Sequence, residues 1–476
     1  MCAASVPASI TLHRDFRIGA VDQRLFGSFV EHMGRCVYTG IFEPDHPLAD
    51  PHGFRTDVLE LVRRLGPTVA RYPGGNFVSA YRWEDGVGPR DQRPRRLDPA
   101  WQAVESNTFG TDEFITWCRT VDVEPMLAVN LGTRGVQDAV DLLEYCNHPG
   151  ATRLSDLRRS NGSTEPHDVR LWCLGNEMDG PWQVGHKPAA EYGRLAAATA
   201  RAMRLVDPGI ELVACGSSSP TMPTFAGWEA TVLEQCYEDV DYLSLHTYYD
   251  PTGKSAAEFL AGAVELDRAI DAAVATVDHV AARLKTRKRL RLAVDEWNVW
   301  YVSDWTAPDR RDWPERRSLI EDTYDDVDAT MVASLLITLL RHADRVAIAC
   351  LAQLVNVIAP IRTDPGGRAW TQTIFQPFSQ IAAAARGEVL RVEPRVATYS
   401  TELGDVPVLD ATATFDEETG DLTLVLVNRS DRAPVQLQVD AHDFPRAVPD
   451  GRLDLELAPL SWRVVTLPHR GQGRGS

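Results

Sequence analysis

The sequence lacks several features that would place it in other protein classes. None of its apolar runs approaches the roughly 18 residues that a membrane helix requires. The first 16 residues contain no basic segment followed by an apolar one, so we expect no recognisable export signal. Eight cysteines are scattered without the close pairs of a zinc or redox motif. Together these absences predict a cytoplasmic protein with no membrane association, whose cysteines are reduced and mostly buried.

Positive charge is also scarce. The 476 residues include 49 Lys and Arg against 67 Asp and Glu, for a formal net charge of -18. A chain this acidic lacks the basic surface that nucleic acids require, which leaves neutral or cationic small molecules as candidate substrates. The arginine-rich stretch PRDQRPRRL at 89–97 predicts a loop whose arginines pair with nearby carboxylates.

Short apolar runs alternate with helical stretches over most of the chain. The eight runs are 24–33, 68–75, 124–132, 169–177, 210–218, 240–249, 291–298 and 346–356. Continuous apolar runs followed by helices are typical of a parallel sheet covered by crossover helices. The pattern predicts an α/β fold with a (β/α)8 TIM barrel over residues 19–385. An open doubly wound sheet is the alternative, but no G-x-G-x-x-G motif follows the first run.

The last 90 or so residues change to an all-β pattern. Apolar and polar residues alternate in ATYSTEL and LSWRVVTL, and EETGDL at 417–422 is typical of a hairpin turn. We expect a second, smaller β-sandwich domain of the jelly-roll kind over 386–476. The strand-like N-terminal residues 1–18 are expected to pair with it. The final GQGRGS, 471–476, predicts a disordered tail.

The carboxyl ends of all strands in a parallel barrel lie on one face, where barrel enzymes place their functional residues. Three polar stretches, 83–107, 147–168 and 303–326, are expected to follow strand ends and to shape substrate loops. The residues at the predicted strand ends contain no Cys–His cluster, so we expect no metal and no cofactor. These residues are Glu31, His32, Arg71, Asn130, Asn176, Glu177, Ser217, His246, Tyr248, Glu296, Gln353 and Asn356.

Two glutamates at these ends are candidates for catalysis. Glu177 follows the fourth predicted strand and Glu296 the seventh, so their side chains can converge across the barrel mouth. Glycoside hydrolysis needs two carboxyl groups on either side of an anomeric carbon, about 5–5.5 Å apart when one is a nucleophile. A structural interpretation exists for each glutamate alone. Glu177 could be a first-turn carboxylate favoured by a helix dipole, and Glu296 a salt-bridged residue at a strand end.

Several longer motifs resemble those of a known family. They are RYPGGNFVSAYRWEDGVGP, AVNLGTRG, WCLGNEMDGPWQVGHK, DEWNVWY and CLAQLVNVIAPI. These blocks are similar to the signature blocks of glycoside hydrolase family 51, the intracellular-type α-L-arabinofuranosidases, and extend from about residue 26 to 376 in the family's order. The resemblance implies a retaining double displacement, with Glu296 as nucleophile and Glu177 as acid/base. Ala80 and Thr247 depart from the family pattern, which puts fine loop shape and leaving-group preference in doubt.

The resemblance also implies binding roles for the residues around the sugar. Glu31 and Asn76 are expected to contact furanose hydroxyls, and Asn176 to hold the 2-hydroxyl, whose hydrogen bond strengthens in the transition state. Gln353 is expected to close the sugar pocket.

Aromatic and cationic residues complete the expected site. His246 and Tyr248 are expected to orient Glu296, and Trp101 and Trp300 to form walls of the sugar pocket or of the leaving-group site. Each of these four could instead be a packing residue at a barrel rim or in its core. Arg71, at the end of the second predicted strand, is the candidate for keeping Glu296 ionised.

The sequence therefore predicts an exo-acting α-L-arabinofuranosidase that removes terminal non-reducing arabinofuranosyl units from arabinan, arabinoxylan and arabino-oligosaccharides with retention. β-Xylosidase or endo-β-glucanase specificity on the same machinery is the alternative. A catalytically silent carbohydrate-binding protein is the alternative from another class, although it predicts the loss of one carboxylate. The resemblance favours a homo-oligomer such as a hexamer.

Overall fold

The computed structural model describes residues 4–307 and 311–468. Numbered along these residues, the strands are β1 (Val6–Thr11), β2 (Arg17–Ala20), β3 (Gly27–Phe29), β4 (Val69–Tyr72), β5 (Arg96–Asp98), β6 (Ala103–Glu105), β7 (Glu124–Ala128), β8 (Leu171–Leu174), β9 (Glu211–Ala214), β10 (Tyr242–Tyr249), β11 (Arg291–Val299), β12 (Val346–Ala352), β13 (Ile361–Thr363), β14 (Ala369–Thr371), β15 (Glu388–Leu390), β16 (Arg395–Val396), β17 (Thr398–Thr401), β18 (Gly404–Pro407), β19 (Leu409–Phe415), β20 (Leu422–Asn428), β21 (Val435–Asp440), β22 (Arg452–Leu457) and β23 (Ser461–Leu467).

The α-helices lie mostly between the barrel strands. They are α1 (Thr56–Leu65), α2 (Thr111–Val121), α3 (Val136–Asn147), α4 (Arg153–Ser160), α5 (Ala189–Val206), α6 (Gly227–Cys236), α7 (Ala256–Leu260), α8 (Gly262–Leu284), α9 (Asp326–Arg341) and α10 (Phe375–Ala384).

Eight strands form a closed barrel in the order β3, β4, β7, β8, β9, β10, β11 and β12. Every neighbouring pair is parallel, including β12 with β3, which closes the barrel. The predicted TIM barrel is therefore confirmed. β3 is shorter than its predicted run 24–33 because residues Gln23–Phe26 form a 3-10 helix, whose start is capped by the side chain of Asp22.

Helix α9 joins the barrel to the rest of the molecule. The side chain of Asp325 accepts hydrogen bonds from the backbone N–H groups of Val327 and Asp328, which fixes the start of the helix. The helix is buried almost all round because one side packs on the barrel strand β11 and another on β19, β20 and β23. A helix that is apolar on every side is typical of this position between two layers.

The predicted all-β sandwich is also confirmed. One sheet has the order β16, β1, β21, β22 and the other the order β2, β15, β19, β20, β23. The N-terminal strand β1 pairs in parallel with β21, and β2 pairs antiparallel with β15. The predicted hairpin lies between β19 and β20, where Gly420 has a φ of 78°. The predicted tail, 471–476, lies outside the described residues.

One expectation about the loops is wrong. The polar stretch 147–168 does not follow a barrel strand; it begins at the end of α3 and leads into β8. It carries α4, whose buried Arg158 donates hydrogen bonds to the carbonyl oxygens of Tyr145 and His148 at the end of α3. Polar composition marks a loop, but it does not tell which end of the barrel the loop covers.

Two composition-based expectations, on the arginines and on the cysteines, agree with the structure where it describes the residues. The arginines of the stretch 89–97 pair with Asp85, Glu113 and Glu315. Seven cysteines, from Cys36 to Cys350, are buried and free of disulfides, while Cys2 lies outside the described residues. Among the described helices, none is both long and apolar enough to span a bilayer.

Candidate active site

The side chains of Glu177 and Glu296 meet at the carboxyl end of the barrel. One oxygen of each carboxylate lies within 4.8 Å of the other. Glu296 is part of β11, whereas Glu177 lies three residues beyond the end of β8, in left-handed backbone with a φ of 41°. The helix that follows, α5, begins only at Ala189, so the interpretation of Glu177 as a first-turn helix carboxylate is wrong.

Arg71 lies at the end of β4 and binds several groups of the site. Its Nη1 donates to Glu296 Oε1 at 2.6 Å, and its Nη2 donates to Asn176 Oδ1 at 2.7 Å. Its Nε lies 3.1 Å from Asp295 Oδ2. Burial opposes the charge on Arg71, but Asp295 and Glu296 outweigh burial and hold its pKa well above the ordinary value. A fixed positive charge therefore lies against Glu296.

Asp295 is a member of the site that the sequence reasoning missed. It is buried, accepts a hydrogen bond from the hydroxyl of Ser244, and lies 3.4 Å from His246 Nε2. Burial favours its neutral form, but Arg71 and His246 hold its pKa down to about 2. The available signal was a second acidic residue inside the apolar strand RLAVDEW, because a buried carboxylate needs a charged or hydrogen-bonding partner.

His246, on β10, lies among three carboxylates. Its Nδ1 is 3.0 Å from Glu177 Oε1 and 3.7 Å from Glu296 Oε2, so its closer partner is Glu177 and not the expected Glu296. Burial lowers its pKa, but the charge of Glu296 and hydrogen bonds to Asp295 and Glu177 raise it to about 10. At neutral pH His246 is therefore an imidazolium. Tyr248, two residues later, donates its hydroxyl to Glu296 Oε2 at 2.7 Å.

The surroundings of Glu177 favour its protonated form. Burial raises its pKa, the negative charge of Glu296 raises it further, and hydrogen bonds from His246 and Trp182 act in the opposite direction. Trp182 donates its indole N–H to Glu177 Oε2 at 2.6 Å, and the residue is 52% exposed. No role was assigned to Trp182 from the sequence. Its position five residues after Glu177 in GNEMDGPW was the available signal.

Glu31 is the centre of a second cluster at the barrel mouth. Its carboxylate accepts hydrogen bonds from Phe77 N at 2.9 Å, Trp101 Nε1 at 2.9 Å and Gln353 Nε2 at 3.1 Å. Burial raises its pKa to about 8 despite these donors. A Cβ atom at Gly75 would lie 2.6 Å from Glu31 Oε2, so a larger residue there would displace the Glu31 carboxylate.

The other expected binding residues lie at the edges of these clusters. Asn76 is the first residue of a 3-10 helix, Asn76–Ala80, directly before the Phe77 N–H that binds Glu31. The Trp300 ring is close to perpendicular to the Tyr248 ring, with centroids 5.3 Å apart.

Two of the residues at predicted strand ends stabilise loops and do not reach the site. The side chain of Asn130 accepts from the backbone of Gly132 and Thr133. Asn356 donates to the carbonyl oxygen of Arg35 and to the hydroxyl of Thr363. A position at a strand end is therefore not sufficient to predict a functional residue.

Glu177, His246 and Glu296 also have the spacing of a metal site, since one ligand atom of each lies within 4.8 Å of the others. Their chemistry does not fit a divalent cation. A metal would have to displace a proton from His246, whose pKa is raised to about 10 by the surrounding carboxylates. The Arg71 guanidinium already lies 2.6 Å from Glu296. The group is suited to handling protons and hydroxyls.

Two family models match the chain. The model for the α-L-arabinofuranosidase 1 domain matches residues 61–271, and the model for the α-L-arabinofuranosidase C-terminal domain matches residues 295–451. These ranges contain Arg71, Glu177 and His246 in the first model and Glu296 in the second. The residues that the barrel brings together are therefore divided between the two matched regions.

Individual relatives agree with the family models. An "intracellular exo-α-(1→5)-L-arabinofuranosidase" of Streptomyces lividans is 54% identical, covering 96% of this chain and 75% of the relative. An "exo-α-(1→6)-L-arabinofuranosidase" of Bifidobacterium longum is 51% identical, covering 93% and 85%. A solved family 51 α-L-arabinofuranosidase from Bifidobacterium longum has a TM-score of 0.90 and 44% identity, covering 97% of both chains. This chain therefore belongs to glycoside hydrolase family 51, the α-L-arabinofuranosidases.

Proposed function

We propose that the protein is a retaining, exo-acting α-L-arabinofuranosidase. It removes terminal non-reducing arabinofuranosyl residues from arabinan, arabinoxylan and arabino-oligosaccharides. The observation that carries this proposal is the spacing of Glu177 and Glu296, whose nearest oxygens lie within 4.8 Å. Retaining glycosidases hold their carboxyl groups about 5–5.5 Å apart, whereas inverting enzymes leave about 6.5–9.5 Å for a water molecule.

In the first step Glu296 is the nucleophile. One of its oxygens forms a bond to the anomeric carbon while the bond from that carbon to the leaving oxygen breaks. Arg71 and Tyr248 each hold one oxygen of Glu296 and so fix the direction of attack. Glu177 gives its proton to the leaving oxygen, and its raised pKa keeps that proton available in the free enzyme.

In the second step Glu177 acts as a base. Esterification removes the negative charge of Glu296, which is one of the causes that raise the pKa of Glu177. The pKa of Glu177 therefore falls, and its carboxylate can take a proton from water as that water attacks the anomeric carbon. The ester bond breaks, Glu296 regains its charge, and arabinose leaves. The His246 imidazolium stabilises Glu177 while Glu177 is ionised.

The residues around Glu31 would hold the sugar. Glu31 and Asn76 contact furanose hydroxyls, Asn176 holds the 2-hydroxyl, and Gln353 closes the pocket. Hydrogen bonds from Gln353 and Trp101 to Glu31 support a single enclosed position for one terminal furanose ring, which suits exo action.

Two faces of the pocket are aromatic. Trp101 and Trp300 are the proposed walls around the furanose. Trp182 lies against the proposed proton donor Glu177 and is half exposed, so the leaving group departs on its side.

The named relatives support the location and the linkage of this proposal. The Streptomyces lividans relative carries the words "intracellular" and "(1→5)", and the Bifidobacterium longum relative carries "(1→6)". We propose that the protein acts in the cytoplasm on oligosaccharides with (1→5) linkages, as a homo-oligomer in keeping with the family resemblance.

Two assays test the proposal. The enzyme should hydrolyse 4-nitrophenyl α-L-arabinofuranoside in clear preference to 4-nitrophenyl β-D-xyloside, and a preference for the xyloside would overturn the substrate assignment. Glu177→Ala should lose activity and regain it in azide, with α-L-arabinofuranosyl azide as the product, because azide attacks the glycosyl ester on Glu296 with a second inversion. Rescue that yields only free arabinose would contradict the acid/base role of Glu177.

A further inference from the structure

A short hairpin lies over the barrel mouth and carries one wall of the sugar pocket. Its strands are β5 and β6, and Trp101 lies in the turn between them. The side chain of Asp98 accepts a hydrogen bond from Ala100 N and shapes this turn. At the tip, the Trp101 indole N–H donates to Glu31. The hairpin thus makes its first contact with the barrel through a proposed sugar-binding residue.

The base of the same hairpin makes a second contact, through Glu105 at the end of β6. One oxygen of Glu105 lies 2.9 Å from His32 Nδ1. The other accepts hydrogen bonds from the Tyr38 hydroxyl and, at 2.6 Å, from Asn107 N. Burial favours the neutral form of Glu105, but His32 and Tyr38 lower its pKa, so it remains a carboxylate. The steps proposed for catalysis do not use this carboxylate.

The two contacts reach consecutive residues of the barrel. Glu31 binds the hairpin tip and His32 binds the hairpin base. The His32 ring also stacks on the Phe77 ring, with centroids 4.7 Å apart, and the Phe77 N–H is another donor to Glu31. A displacement of His32 therefore affects two of the donors that hold Glu31. Phe77 is moved through the stacked rings, and Trp101 is moved through Glu105 and the hairpin. The other ring nitrogen of His32, Nε2, lies 2.7 Å from the Tyr72 hydroxyl, and this hydrogen bond also holds the ring in place.

We propose that Glu105 is a positioning residue for the sugar pocket. Through His32 and Tyr38 it holds the hairpin so that Trp101 lies against Glu31, and this arrangement sets the affinity for the arabinofuranosyl ring. The inference rests on the proposed function. Glu105 does not touch the reacting atoms, so its loss weakens binding of the ground state and of the transition state alike and raises KM more than it lowers kcat.

The test compares Glu105→Gln with a matched control. Asp112 is a suitable control because its carboxylate also holds one histidine, His167, at 2.8 Å and one tyrosine hydroxyl, that of Tyr145, at 2.7 Å. Asp112 lies in α2, and the partners of its carboxylate, His167 and Tyr145, are not among the proposed pocket residues. Glu105→Gln should raise KM for 4-nitrophenyl α-L-arabinofuranoside by about tenfold with kcat nearly unchanged, since hydrogen bonds to a charged group are lost. Asp112→Asn should lower the melting temperature and leave KM unchanged.

A double-mutant cycle with Trp101→Phe separates positioning from general loss of stability. If Glu105 acts through Trp101, the double variant should have the KM of the more impaired single variant. Additive effects, or an unchanged KM in Glu105→Gln, would overturn the proposal. If Glu105→Gln does not fold, Tyr38→Phe removes a single donor to the same carboxylate, and its KM should rise by about threefold. An unchanged KM in that variant would overturn the proposal too.

The outcomes distinguish this inference from the proposed function. A wild-type enzyme that does not hydrolyse the arabinofuranoside refutes the proposed function itself. A wild-type enzyme that does, combined with a Glu105→Gln variant of normal KM, refutes only the positioning role.

Discussion

The two ends of the barrel carry nearly the same set of residues. At the amino end, Arg24 binds Glu124 at 2.7 Å and Glu211 at 3.1 Å, and Glu211 accepts the hydroxyl of Tyr242. At the carboxyl end, Arg71 binds Glu296 at 2.6 Å and lies 3.1 Å from Asp295, and Glu296 accepts the hydroxyl of Tyr248. Both tyrosines belong to β10 and lie near its opposite ends.

The ends differ in their access to water. The side chain of Arg24 is 23% exposed and that of Glu211 is 34% exposed, whereas the values for Arg71 and Glu296 are 1% and 7%. Water screens the amino-end pairs, so they contribute modestly to stability. Burial strengthens electrostatic interactions at the carboxyl end. We infer that the same residue types stabilise the fold at one end and prepare a reaction at the other, as the polarity of this barrel fold requires.

The largest contrast is expected between Glu296→Gln and Glu211→Gln. Each change removes a carboxylate that binds one arginine and one tyrosine. Loss of the proposed nucleophile should lower kcat by about 10⁴-fold or more, whereas Glu211→Gln should leave kcat unchanged. Steady-state hydrolysis of 4-nitrophenyl α-L-arabinofuranoside measures both. A Glu296→Gln variant with near wild-type kcat would break the comparison.

A smaller contrast is expected between Arg71→Met and Arg24→Met. Without Arg71, Glu296 loses the cation that holds it, and kcat/KM should fall by about 10²–10³-fold. Unfolding in urea should also show a larger loss of stability for Arg71→Met, about 3–5 kcal/mol, because it leaves buried charges unpaired. Arg24→Met should cost about 1 kcal/mol and leave kcat/KM unchanged. Equal stability losses would show that burial does not distinguish the two ends.

Tyr248→Phe and Tyr242→Phe form the third pair. Each removes one hydroxyl donor to a carboxylate. Tyr248→Phe should lower kcat/KM by about tenfold, because a hydrogen bond to a charged group is lost at the nucleophile. Tyr242→Phe should affect thermal stability alone. A loss of activity in both variants would mean that β10 transmits strain between its ends.

A further expected effect is on stability and not on activity, as a difference in how stability depends on pH. The folded-state pKa of Glu31, about 8, lies above its ordinary value of 4.5 because of burial. The folded protein therefore binds more protons than the unfolded chain between these values. The contribution of Glu31 is fully present below its ordinary pKa and is lost as the pH rises through the folded value. The melting temperature of the wild type should fall more steeply from pH 5 to pH 8 than that of Glu31→Gln. Parallel curves would contradict this prediction.

The fold was largely predictable because its signals are local and repeated. Eight apolar runs alternating with helices predict the barrel, and each run overlaps one of its strands. The convergence of Glu177 and Glu296 also follows from the geometry of a parallel barrel, once each is assigned to a strand end. Arg71 was predictable for the same reason.

Other parts of the site depend on contacts that the local sequence does not contain. Asp295 and Glu105 have partners in distant segments of the chain. Arg71 lies 224 residues before Asp295, and His32 lies 73 residues before Glu105. Asn130 and Asn356 occupy the same kind of strand-end position as Asn176 but turn toward loops. The direction of a side chain at a strand end depends on the conformation of the loop that follows. The local sequence does not predict that conformation.

The stereochemistry of the reaction tests the central claim most directly. With 4-nitrophenyl α-L-arabinofuranoside in aqueous methanol, part of the sugar is captured as a methyl arabinofuranoside, whose anomeric configuration proton NMR identifies. The spacing of Glu177 and Glu296, within 4.8 Å, predicts the α anomer, formed by two inversions through a glycosyl ester on Glu296. Formation of the β anomer would contradict the account.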